Sequence, residues 1–240
     1  MKLTKQEIQF IDHYLIKNEV KYWDVRLELL DHIVSAVETK ISNDGISFNE
    51  ALLEVHRGFG NQFVEFGVSK DKIFEKGLYQ SNIGFKKFIK QKQKEIGRKH
   101  RKTYWKTFLP FISSIRFFIE LLVLTIVTLI AYQYSIKVGL FVAMSGIIIT
   151  EFTKLFYGGL KKFKTKSLNM QLAISSSLLL TQMPYWLIML FNWHYEGLEM
   201  KPYYILFILF ALLFVFSRHS LNNFIKIYNT YNERYQLLTT

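Results

Sequence analysis

Residues 117 to 134, FFIELLVLTIVTLIAYQY, constrain the fold of this chain more than any other stretch. A helix rising 1.5 Å per residue needs about 20 mostly apolar residues to cross the ~30 Å hydrocarbon core of a bilayer. Nothing before this run has that character, and most of the chain beyond it does. The run therefore separates a charged N-terminal region from a lipid-compatible C-terminal one. Residues 138–157, 170–192 and 202–217 predict three further spans. The expected fold class is all-α, a small cytoplasmic helical bundle followed by a four-helix transmembrane region. The expected segments are a bundle at 1–61, a helical extension and basic juxtamembrane linker at 62–116, the spans at 117–217 and a cytoplasmic tail at 218–240.

Charge divides the chain in the same place. The formal net charge is +12, but residues 1–85 are net −3, residues 86–106 net +9 and residues 107–240 net +6. A strongly basic chain usually raises nucleic acid as a partner. Here the folded N-terminal part is mildly acidic and the basic residues flank spans, as the positive-inside bias requires. No direct nucleic-acid partner is therefore expected. With no cysteine, disulfides and thiolate metal sites are excluded. The start, MKLTKQEIQFIDHYL, lacks the apolar core of a secretory signal. Basic segments before the first span, between the second and third, and after Arg218 oppose an acidic third-to-fourth loop holding Glu196 and Glu199. Both termini are thus expected in the cytoplasm, in a bacterial inner membrane, with Trp186, Trp193, Tyr195 and Tyr203 at the outer interface.

In the N-terminal region, Thr4 and Glu7 have capping-box spacing, and Leu3 and Ile8 that of a hydrophobic staple. A helical stripe runs on through Ile8, Ile11 and Leu15. A second helix is expected from Tyr22 to Ile41, stopped by Asn43-Asp44-Gly45. Ser47 and Glu50 form another capping box before a third helix that Gly58 and Gly60 end. These residues carry a resemblance. Glu28-Leu29-Leu30-Asp31-His32-Ile33, Gly45-Ile46-Ser47, Glu50-Ala51 and Phe59-Gly60 resemble the HAAS-type domain, a permease-prefix-like cytoplasmic module that precedes membrane spans in many bacterial proteins. The resemblance covers about Leu3 to Asn61. It implies a regulatory or scaffolding role and a cytoplasmic protein partner such as a PadR-like transcriptional regulator, and it carries no catalytic residue.

A short helix is expected around Lys70 to Leu78. Beyond it, Ile83 to Lys106 forms a basic helix with Phe85, Phe88, Ile89 and Ile96 near one face. One reading lays it on anionic headgroups through Lys86, Lys87, Lys90, Lys92, Lys94, Arg98, Lys99, Arg101 and Lys102, with the aromatic face toward the membrane. The other makes it a solvated linker whose lysines set topology.

Charges inside or beside spans are costly and usually paired. Arg116 and Glu120 stand at i,i+4 in the first span, and Glu151 and Lys154 at i,i+3 near the end of the second. A hairpin brings all four to similar depth, as a neutralised ionic clasp or as an ion or proton site. In the third span Ser175, Thr181, Gln182 and Pro184 suit close helix packing, or a polar groove. Asp12, His13, Glu28, Asp31, His32 and His56 have no metal-ligand spacing. No phosphate-binding loop or nucleophile elbow occurs. No cofactor and no enzymatic activity are expected. The leading function is an integral membrane protein whose cytoplasmic domain binds a partner. The rival is a small transporter, or transporter subunit, with a polar path among spans one to three.

Overall fold

The computed structural model describes residues 2–63, 79–160 and 167–239. They fall into two compact units, Met1–Ile96 with Phe163–Asn169, and Gly97–Lys162 with Met170–Thr240. The described residues are mainly helical. The exception is a short antiparallel ladder between β1 (Gln62–Phe63) and β2 (Tyr79–Ser81). The helix expected at 70–78 and the lysines at 161, 162, 164 and 166 lie outside the described residues.

The first unit is built as its caps dictate. Helix α1 (Lys5–Lys17) starts at Thr4, whose hydroxyl accepts from the Glu7 N–H while Glu7 Oε2 accepts from the Thr4 N–H at 2.7 Å. Helix α2 (Trp23–Asp44) runs three residues past the expected end and stops at Gly45, which takes φ +64°, a conformation glycine adopts without Cβ strain. Helix α3 (Phe48–Gly58) opens with the Ser47–Glu50 box. Ile11, Leu15, Leu29, Ile33, Val37, Leu52 and Val55 close the core between them.

A fourth helix completes this core. In α4 (Ile83–Ile112) the Phe85 ring is fully buried, with centroids 6.0 Å from Tyr14, 5.8 Å from His56 and 5.3 Å from Phe59. Asn61 Oδ1 accepts from the N–H groups of Gly84 and Phe85, so Asn61 caps α4 from a neighbouring loop. The approach is so close that a Cβ on Gly84 would lie 1.9 Å from the Phe59 carbonyl oxygen. The membrane-facing role expected of Phe85 and Phe88 is therefore corrected. Phe85 fills the bundle, and Phe88 meets Phe59 edge-on at 6.4 Å, because the bundle core offers these rings a dry, shaped partner. The bundle is thus not complete at residue 61.

The first unit also holds the start of α7 (Leu168–His194). Asp24 Oδ1 accepts from the Leu168 N–H at 2.9 Å, and Asp24 Oδ2 from the Asn169 N–H at 3.1 Å, with further bonds from Ser167 Oγ and Asn169 Nδ2. A carboxylate from α2 thus caps a helix far along the chain and complements its dipole.

In the second unit, α5 (Ile115–Tyr134) begins at the Ser114 cap and is separated by Ser135 alone from α6 (Ile136–Leu160). A Cβ on Gly139 would meet Tyr132 at 3.1 Å, and one on Gly146 would meet Leu124 at 2.9 Å and Phe214 at 3.1 Å. Small residues here let α6 pack against both α5 and α8 (Tyr204–Thr239). Phe117, Ile147, Leu206, Phe210 and Phe214 form the core. Among the described residues three helices are long and apolar enough to cross a membrane, Ile115–Tyr134, Ile136–Tyr157 and Tyr204–Leu237. Their outward side chains, including Phe118, Ile119, Leu122, Val123, Ile126 and Ile130, are exposed. Apolar faces this large belong against lipid or protein, not water, and mark a membrane protein. Helix α8 runs unbroken from Tyr204 to Thr239, so residues 218–239, expected as a cytoplasmic tail, continue the helix of the expected fourth span. No glycine, proline or cap interrupts it after Ser217, and Arg218 is neutralised within the unit.

Candidate functional site

The polar centre of the second unit is assembled from α6 and α8. Glu151 and Lys154, one helical turn apart on α6, have no exposed side-chain surface. Lys154 Nζ donates to Glu151 Oε1 at 2.7 Å and to Ser220 Oγ at 3.1 Å. Ser217 Oγ donates to the same Glu151 oxygen at 2.6 Å and also bonds the Thr150 hydroxyl. Ser217 and Ser220 share a face of α8 by the same three-residue spacing that pairs Glu151 with Lys154. Glu151 Oε2 is buried and has no hydrogen-bond partner among the described residues. An ion pair this dry is held by mutual attraction and by the two hydroxyls, and removing either charge strands the other.

A second pair lies between α5 and α8. Arg218 Nε and Nη2 donate to the two Glu120 oxygens at 2.7 and 2.8 Å, and Arg218 Nη1 donates to Asn222 Oδ1 at 2.5 Å. This two-pronged geometry is the strong form of an arginine–carboxylate pair. Spacing in the sequence makes Arg116 the expected partner of Glu120. Arg116 is instead exposed and makes no ion pair among the described residues. Arg218, Ser217 and Ser220 escape any sequence-derived cluster that ends the fourth span at Ser217. Because α8 continues, these residues reach the acids of α5 and α6.

A third polar group joins α4 to α8. The Tyr104 hydroxyl donates to the Phe216 carbonyl at 3.2 Å. His219 Nε2 lies 2.9 Å from the Tyr104 carbonyl oxygen and 2.9 Å from Asn223 Nδ2. Rings of Tyr104, Phe108 and Phe111 surround the imidazole, with centroids within 5.3 Å. Nothing in the spacing of the sequence points to this group.

Of the third-span candidates, Ser175, Gln182 and Pro184 do not join these clusters among the described residues. Ser175 is exposed and bonds its own helix at the Leu172 carbonyl. Gln182 is exposed, Pro184 is buried inside an unbroken α7, and the Thr181 side chain lies outside the described residues.

The basic segment divides by function. Lys92 pairs with Glu28 and Glu95, and Glu28, by accepting a hydrogen bond from the ammonium, holds Lys92 in its charged form more firmly than usual. Lys86 pairs with Glu19 at 3.3 Å. Asn82, through its side-chain bond, and then Lys86 hold the Glu19 carboxyl below the usual range. Lys87, Lys90, Lys94, Arg98, Lys99, Arg101 and Lys102 are exposed. Two of the nine candidate headgroup residues are thus engaged within the first unit.

Asp12 and His56 are held by contacts within the first unit. Asp12 pairs with Arg26 at 2.8 Å. His56 is buried and bonded to the Tyr14 hydroxyl, and burial, aided by the Arg57 charge, pushes it down to about 4. Among the described residues no three His, Asp or Glu converge to hold a metal ion. No protein-family model, curated protein or solved structure matches this chain.

Proposed function

We propose that this chain is a multi-pass protein of the bacterial inner membrane, with four spans and both termini cytoplasmic. Its N-terminal helical unit binds a cytoplasmic protein in a regulatory or scaffolding role. The observation that carries this reading against the transporter is charge closure. Glu120 is held by Arg218 and Glu151 by Lys154, and neither acid is left to accompany a moving ion. Ser175 and Gln182 of the third span are exposed and do not gather with them among the described residues. The HAAS-like residues make a PadR-like regulator the first partner to test. Phe10 on α1 and Leu27 on α2 are exposed apolar side chains of the first unit, as is Ile16, and they supply the contact surface.

The test is capture of a tagged PadR-type regulator by the full chain, compared with a chain carrying Phe10→Ser, Ile16→Ser and Leu27→Ser. Binding by the first and loss by the second supports the reading. A proton or cation flux in reconstituted vesicles that Glu151→Gln abolishes without unfolding overturns it in favour of transport.

A further inference from the structure

The second half of α4, from Gly97 to Ile112, has two unlike faces. Tyr104, Thr107, Phe108 and Phe111 recur at helical spacing and all meet His219 of α8, which fixes that face within the second unit. The opposite face carries Arg98, Lys102, Trp105 and Leu109, again three or four residues apart, with Arg101 and Lys106 on its flanks. Trp105 is 57% exposed and Leu109 68%. The four cations are exposed as well, and none of their side chains is in a hydrogen bond or ion pair among the described residues.

The charge on this face has one sign. No acidic residue stands between Glu95 and Glu120, and those two are paired with Lys92 and Arg218. Along the face, arginine and lysine come first and a tryptophan and a leucine follow. That order suits the boundary between anionic headgroups and acyl chains, where cations reach phosphate and an indole sits at the edge of the hydrocarbon. The chain extends the same order. Helix α4 ends at Ile112, and α5 begins at Ile115 with Phe118 and Ile119 exposed, so the interfacial aromatic leads directly into a span. A second copy of this chain is a poor occupant, because like charges would meet on the shared face. An acidic soluble protein answers the cations but not a face that runs into a span.

We propose that this face of α4 is a docking surface for anionic phospholipid. Arg98, Arg101, Lys102 and Lys106 take the headgroup phosphates, and Trp105 and Leu109 rest among the first methylenes of the acyl chains. The surface rests on the membrane reading and adds a lipid preference to it. It also moves the membrane contact of the basic helix from Phe85 and Phe88, which the bundle holds, to Trp105 and Leu109.

The chain has no cysteine, so a single introduced one can carry a fluorophore at a chosen position. The full chain is reconstituted in mixed vesicles of phosphatidylcholine and phosphatidylglycerol, with bromine quenchers on the acyl chains of one lipid or the other. A fluorophore at Leu109→Cys should be quenched at least about fivefold more effectively, per lipid, by phosphatidylglycerol, the scale of one basic side chain at an anionic surface. Added salt should shrink that preference. With Arg98→Gln, Arg101→Gln and Lys102→Gln together, quenching should persist while the two lipids act alike. A fluorophore at Thr103→Cys, exposed on another face of the helix, should be quenched by neither. No quenching at Leu109, equal quenching by the two lipids in the chain with its cations intact, an unchanged preference in the triple variant, or quenching at Thr103 as strong as at Leu109 would each overturn the surface. A fluorophore at Ile126→Cys in α5 separates this failure from failure of the membrane reading. Quenching at Ile126 without quenching at Leu109 refutes only the docking surface, whereas quenching at neither position refutes the spans as well.

Discussion

His56 sits in a cage of rings, with Tyr14 and Phe85 edge-on to it, and its neutrality is a stability condition. Its folded-state value of about 4 lies below the ordinary 6.5, so between these limits the unfolded chain takes up a proton that the folded chain refuses. Stability is therefore fully present above pH 6.5 and is lost as pH falls toward 4, by at most about 3 kcal/mol. Pulse proteolysis of the first unit in urea should show its midpoint falling across that window. His56→Phe should flatten the slope, at a cost of about 1 kcal/mol for the lost Tyr14 bond. Gly84 is a second sensitive position. Its missing side chain admits the Phe59 carbonyl, so Gly84→Ala must push α4 outward and lift Phe85 from the core. A loss of about 1–3 kcal/mol is expected, read as a lower midpoint in the same assay.

At the scale of elements, α6 and α8 are joined by a dry ion pair with its hydroxyl supports. Glu151→Gln keeps an acceptor for Ser217 but leaves Lys154 charged and buried, and should cost about 3 kcal/mol or more. Lys154→Met strands Glu151 in the same way. Replacing both, as Glu151→Leu with Lys154→Met, should recover most of the loss, because a well-packed apolar pair avoids desolvating two charges. Thermal stability in detergent checks all three variants. A double variant as unstable as either single one would mean that the charges do more than neutralise each other. Helix α8 makes a related point. Arg218 marks the end of a span by its charge, yet a bidentate carboxylate partner lets the helix carry it onward.

At the scale of the molecule, each unit needs residues that its neighbours in sequence do not supply. A fragment ending at Asn61 lacks Phe85 and leaves a void among Tyr14, His56 and Phe59. It should show weak helical circular dichroism and broad melting, and extension to Ile96 should restore a cooperative transition. Topology offers a separate check on the proposed orientation. A reporter after Lys106 should read cytoplasm, and one after Glu199, in the loop before α8, should read exterior. The reverse pattern would overturn the placement of the spans.

Local chemistry made some of this fold legible in sequence. Thr4–Glu7, Ser47–Glu50 and Gly45 act through backbone groups within a few residues, so their spacing alone predicts helix ends. The long apolar run from Phe117 likewise announces its environment through composition. The pairing of Glu151 with Lys154 was legible for the same reason, being one helical turn apart. Contacts between distant residues were not. That Phe85 turns into the bundle, that Asp24 caps α7, and that Glu120 takes Arg218 in place of Arg116 depend on which helix faces meet. A sequence period reveals that a face exists, while only the packed structure decides what covers it.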